Sequence, residues 1–129
     1  MEAEQIRLEP DPYEPFHMSL GFRVGDLLIL SGLGPSNARG ELVGAGDFDA
    51  QAELTFASLA EVLAAGGSSL ADVVKVTIYL TDLAHLPRVR ELRPRYFTPP
   101  YPADTLVCVS SLADPEQLLE IEAIAVAKA

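Results

Sequence analysis

The sequence predicts an α+β fold, one mixed sheet with two helices on one of its faces. Three observations predict it. In Val74 to Thr81 the aliphatic residues alternate with Lys75, Thr77 and Tyr79, the pattern of a half-buried strand. Between residues 50 and 65, Ala52, Phe56, Leu59, Ala60 and Leu63 recur with a 3.6-residue period. Gly25-Asp26 joins the apolar runs Leu20 to Val24 and Leu27 to Leu30 as a two-residue link typical of a tight hairpin.

The elements follow in order. Three prolines within six residues, Pro10, Pro12 and Pro15, deny regular helix to the lead-in of residues 1–16, which reads as an edge segment or a flap. The hairpin comes next, then a Gly/Pro/Ser/Asn-rich loop from Gly32 to Gly40 and a short strand at Glu41 to Val43. The helix over 50–65 takes Asp49 as its N-cap and stops at Gly66-Gly67, with Gln51, Ser58 and Glu61 largely opposite its apolar face. Ser69 to Asp72 has the spacing of a capping box and predicts one helical turn. Leu86, Val89, Leu92 and Tyr96 mark a second helix with Pro87 in its first turn. Pro94 is expected to kink or end it early. Strands at Thr105 to Ser110 and Leu118 to Val126 complete one domain, residues 1–129.

Two helices cover only one sheet face. Leu27 to Leu30 and Leu106 to Val109 are nonetheless apolar at consecutive positions, so they send hydrophobic side chains both ways. Burying one such residue contributes roughly 1.5 to 3 kcal/mol, so the second face is expected to be covered by other copies of the chain.

Composition excludes several functions. Lys and Arg total 9 against 19 Asp and Glu, a formal charge of −10, which disfavours nucleic acid and anionic membrane as partners. The single Cys108 excludes an internal disulfide and a cysteine-based zinc site, and its apolar strand context reads as a core thiol. His17 and His85 lack metal-ligand spacing, and the Gly32 to Gly40 loop lacks the Gly-Lys-Ser/Thr of a phosphate-binding loop. An acidic N-terminus and the lack of any apolar run near 20 residues point to a soluble cytoplasmic domain.

Several stretches, taken together and in order, resemble the Rid family of reactive-intermediate deaminases, also called the YjgF family and formerly endoribonuclease L-PSP. They are Val24 to Gly32, Gly40 to Val43, Ala65 to Asp82, Tyr101-Pro-Ala-Asp104 and Leu119 to Val126. The resemblance implies a chorismate-mutase-like fold and a homotrimeric barrel with small-molecule clefts between subunits. It further implies hydrolysis of enamines or imines to 2-oxo acids and ammonia, with no metal or cofactor.

The same resemblance assigns residues. Active members grip the substrate carboxylate with an arginine after Pro-Ala, and here that position is Asp104. Two like charges about 4 Å apart repel by ~4 kcal/mol at an effective dielectric near 20, so an amino-acid-derived imine is expected to bind poorly. Glu120 matches the glutamate that orients the hydrolytic water and is the candidate catalytic residue. Ser31 and Gly32 match the loop lining the pocket, and Leu106 matches a residue whose backbone meets the substrate. The family's Pro-Tyr is replaced by His17-Met18, which puts Met18 in the pocket and predicts that a tyrosine hydroxyl is missing. Arg23, Arg39 and the arginines of the second helix are candidates to restore the lost cation. Two functions stay open: a metabolite-binding trimer with divergent deaminase chemistry, in one version using Asp104 and Glu120 as a carboxylate pair, or a non-catalytic, chaperone-like scaffold of the same fold.

Overall fold

The computed structural model describes residues 1–128. The strands are β1 (Ala3–Ile6), β2 (Gly21–Val24), β3 (Leu27–Leu30), β4 (Val73–Leu80), β5 (Ala103–Cys108) and β6 (Leu119–Val126). The helices are α1 (Phe48–Ala65), between β3 and β4, and α2 (Leu86–Tyr96), between β4 and β5. The sheet runs β1-β2-β3-β6-β4-β5. Only the β4–β5 pair is parallel, and α2 is the crossover that a parallel pair requires. The mixed sheet with two helices on one face is therefore the observed architecture.

Both helices pack on the same face. Ala52, Phe56, Leu59, Val62 and Leu63 of α1, with Val89 and Leu92 of α2, are buried against Leu28, Leu30, Val76, Ile78, Leu80, Ile121 and Ala125. Phe56 stacks on Tyr96 with ring centroids 4.0 Å apart, joining the two helices. The C-terminal end of α1 comes so close to the sheet that a Cβ on Gly66 would lie 2.4 Å from Leu28 Cδ2. Gly67 then takes the left-handed conformation, φ +83°, that turns the chain towards β4.

The opposite face is open. Phe22, Ile29 and Ile124 stand in one cross-strand row and Leu27 beside Val126 in the next. Ile29 is 48% exposed and Leu27 43%. The rest of this face is mixed: Lys75 Nζ donates to Thr105 Oγ1 at 2.7 Å and the Tyr79 hydroxyl donates to Glu122, while Val107, beside Tyr79, is exposed.

Five expectations need correction. The α1 N-cap is Asp47, whose Oδ1 accepts from Ala50 N at 3.0 Å; Asp49 lies one residue inside the helix and binds Arg88 at 2.8 Å instead. Gln51 is fully buried rather than on a wet face. Its Nε2 donates to the carbonyls of Gly44 (3.1 Å) and Glu116 (3.0 Å), and its Oε1 accepts from Leu118 N (2.8 Å). All of its hydrogen-bonding groups are matched, which is what makes a buried amide tolerable. Glu41 to Val43 forms no strand beyond an isolated Ser36–Leu42 bridge. The α2 helix runs through Pro94 to Tyr96, because Pro94 is solvent-exposed and the carbonyl it leaves free belongs to the exposed Arg90. Cys108 is exposed, since β5 is an edge strand and its outer flank has no neighbour within the chain. The lead-in resolves as an edge segment, with β1 paired to β2. His85 stacks on Phe48 with centroids 4.2 Å apart.

Candidate functional site

The chain leaving β3 passes Ser31 and Gly32 before Leu33 re-pairs with β6. Leu33 N donates to Ile121 O (2.8 Å) and Ile121 N donates to Leu33 O (2.9 Å). Strand alternation buries Leu119 and Ile121 and turns Glu120 to the open side, directly against Gly32. A Cβ on Gly32 would lie 2.6 Å from Glu120 Cδ and Oε2, so glycine is what lets the carboxylate settle on the backbone there. Ser31 ties this crossing down from the other side: its hydroxyl donates to Ser19 O at 2.6 Å and its N–H to Leu20 O at 2.8 Å.

A cleft of about 410 Å³ opens over this point. Glu120, Gly32 and Gln117 lie on its polar side; Met18, Phe16, Leu42 and Pro115 make it apolar elsewhere. Tyr13 reaches in from the lead-in and donates its hydroxyl to Gly32 O at 2.5 Å. The tyrosine hydroxyl expected to be missing is thus present, supplied from position 13 rather than 18. Burial pushes the Tyr13 phenol up to about 12, with the Glu120 charge adding to it, so it stays protonated as a donor. Burial also raises the Glu120 carboxyl above its usual value; the Gln117 amide offsets part of this and the Glu122 charge adds to it.

Within one chain the structure brings together Met18, Gly32 and Glu120 and leaves Asp104 and Leu106 elsewhere. The β4–β5 register sets Asp104 beside Val76 and Leu106 beside Ile78, on the helix side of the sheet. Asp104 and Glu120 therefore lie on opposite faces, and no carboxylate pair forms between them in a single chain. Asp104 does not present a bare negative charge. Arg93 of α2 grips it at two points, Nε to Oδ2 and Nη2 to Oδ1, each 3.0 Å. Tyr13 and Gln117 were not singled out by the sequence; Arg93 is among the candidate arginines of the second helix, but not as the partner of Asp104. A tyrosine set among prolines carries no periodicity, and the Arg93–Asp104 contact joins residues 11 apart across a loop.

The glycine contact yields a direct expectation. Gly32→Ala should fold normally, because the colliding group is the free end of a flexible side chain, yet it should displace the Glu120 carboxylate. Any turnover that depends on Glu120 should fall at least 10-fold while the melting temperature changes little; a variant with wild-type activity would separate Gly32 from the function of Glu120.

A hairpin, two helices on one face of a mixed sheet, and a glutamate held against a glycine turn define an α+β class with a cleft at the end of the sheet's open side. The family model described as Endoribonuclease L-PSP matches residues 7–127, and the chain belongs to this family, also known as the Rid or YjgF family. The chain is 39% identical over 117 residues to Protein DfrA of Myxococcus xanthus, covering 91% of this chain and 88% of that protein. It is 30% identical over 119 residues to the 2-iminobutanoate/2-iminopropanoate deaminase of Dermatophagoides farinae, covering 92% and 91% respectively. The crystal structure of RidA from the Antarctic bacterium Psychrobacter sp. PAMC 21119 superposes with a TM-score of 0.78 at 34% identity, covering 84% of this chain and 87% of that one.

Proposed function

We propose that this chain assembles as a homotrimer through its open sheet face and hydrolyses the C=N bond of small imines or enamines in clefts at the subunit boundaries. The observation that carries the reading is Glu120, a half-buried carboxylate set against Gly32 in an otherwise largely apolar cleft. A carboxylate with a raised proton affinity is a better base than a free one. In the reaction Glu120 accepts a proton from water as the oxygen adds to the imine carbon. That proton passes to the nitrogen to give the carbinolamine; its hydroxyl then gives up its own proton, which reaches the nitrogen as the C–N bond breaks, and a carbonyl compound and ammonia leave. The balance needs only water. Tyr13, anchored on the Gly32 carbonyl, holds the turn in register with the carboxylate. The deaminase relative supports the same chemistry, and a cytoplasmic setting is part of this reading.

The test is ammonia release above the spontaneous rate from imines generated in place, by an amino-acid oxidase for 2-imino acids and by an amine oxidase for uncharged aldimines. Acceleration of either class supports the hydrolase reading. Free-solution rates for both would overturn it and favour the scaffold function.

A further inference from the structure

A second hollow, of about 490 Å³, lies between α2 and the start of β5. Its walls include Pro94, Phe97, Tyr101 and Pro102, and its charged groups are Arg90, Arg93 and Asp104. A guanidinium among apolar and aromatic walls is a group suited to capture a planar anion. The Nε and Nη2 donors form the edge that meets a carboxylate with two parallel hydrogen bonds. On Arg93 that edge is already taken by the chain's own carboxylate, at 3.0 Å in both bonds, with the two side chains only 29% and 22% exposed.

We propose that Asp104 is a built-in occupant that closes an acid-binding site on Arg93, so that the hollow accepts ligands lacking a carboxylate. The inference concerns the hollow beside α2 alone and does not rest on the Glu120 chemistry. Strand register holds Asp104 beside Val76 and α2 holds Arg93, so the two groups meet without a search. A tethered partner acts at an effective concentration of millimolar order or higher, far above a micromolar metabolite acid. An incoming carboxylate must also approach the negative charge already seated there. With two arginines against one aspartate the hollow keeps a net positive charge of one, and this is the reserve that removal of Asp104 would expose.

The experiment compares propanoate with propanamide, which share a shape and differ in charge, by nuclear magnetic resonance titration of the intact protein in low-chloride buffer. Wild type is expected to bind the acid no better than the amide. Asp104→Asn should shift the ratio towards the acid by roughly 10- to 100-fold, the span of one charge-assisted pair. The shifts should map to α2 and β5. Asp104→Ser should give the same gain, which guards against a fold effect of one substitution, and the Arg93→Gln/Asp104→Asn double variant should lose it. An unchanged ratio in both single variants, a gain that survives loss of Arg93, or a wild type that already prefers the acid would each overturn the proposal. The readout needs no turnover. Acid binding gained without imine hydrolysis refutes the hydrolase and leaves this site standing, and hydrolysis without the gain does the reverse.

Discussion

Replacing Glu120 with glutamine is expected to lower the turnover of an accepted imine by about 10²- to 10⁴-fold, the usual worth of a positioned general base, with ligand affinity changed little. Glutamine keeps the volume beside Gly32 and removes only the ability to take a proton. The pH profile gives an independent reading. A general base acts as the anion, and burial raises the proton affinity of Glu120 above that of a free glutamate. The wild-type rate should therefore fall on the acid side at a pH above that expected of a free glutamate. Stability runs the opposite way. Because folding raises this pKa, the stabilising contribution is complete below the unfolded value and is lost as pH rises through the folded one. At neutral pH the ionised Glu120 is a burden on the fold, and the glutamine variant should melt no earlier than wild type. Full activity in the variant, or an acid limb at the position of an unperturbed glutamate, would remove Glu120 from the chemistry.

Ile29→Glu is expected to convert the assembly to single chains. Ile29 sits at the centre of the row Phe22–Ile29–Ile124, with Leu27 and Val126 alongside, on the face that neither helix covers. A charge there gains nothing within the chain and would have to be desolvated in any interface formed on this face. The side chain lies outside the buried core, so the isolated chain should retain its helices and sheet by circular dichroism. Sedimentation at micromolar concentration reads the outcome. A wild-type trimer that becomes a monomer on this one change places the contact here, whereas a variant that stays trimeric moves the interface elsewhere. Because the proposed clefts lie between subunits, the monomer should also lose turnover.

The parts of the fold legible in the sequence were those set by repeating local pattern. Alternation marked β4 and β6, the Gly-Asp link marked the β2–β3 hairpin, and consecutive apolar residues in β3 marked a strand with two hydrophobic faces, as Leu28 inside and Ile29 outside now show. What escaped depended on partners remote in sequence. Gln51 is polar and reads as largely opposite the apolar face of α1, so periodicity assigns it to water; only the carbonyls of Gly44 and Glu116 and the Leu118 amide make it a core residue. Cys108 looked buried because its neighbours are apolar, but hydropathy does not reveal that β5 lies at an edge. In the candidate site, the closeness of Glu120 to Gly32 followed from matched motifs. At Asp104 the sequence supplies the sign of the charge and a set of candidate arginines, but which of them folds onto it is fixed only by the packing of α2 against β5.

Gln51 has one more consequence. The residues just before β6 arrive from a long irregular stretch and would otherwise swing like an unbraced arm. A single amide, rooted in the first turns of α1, lashes Glu116 and Leu118 to the Gly44 bend and so steadies the strand two residues ahead of Glu120. Thermal agitation at the Glu120 carboxylate is thereby tied to the integrity of α1, and warming should not blur its aim until that mooring parts.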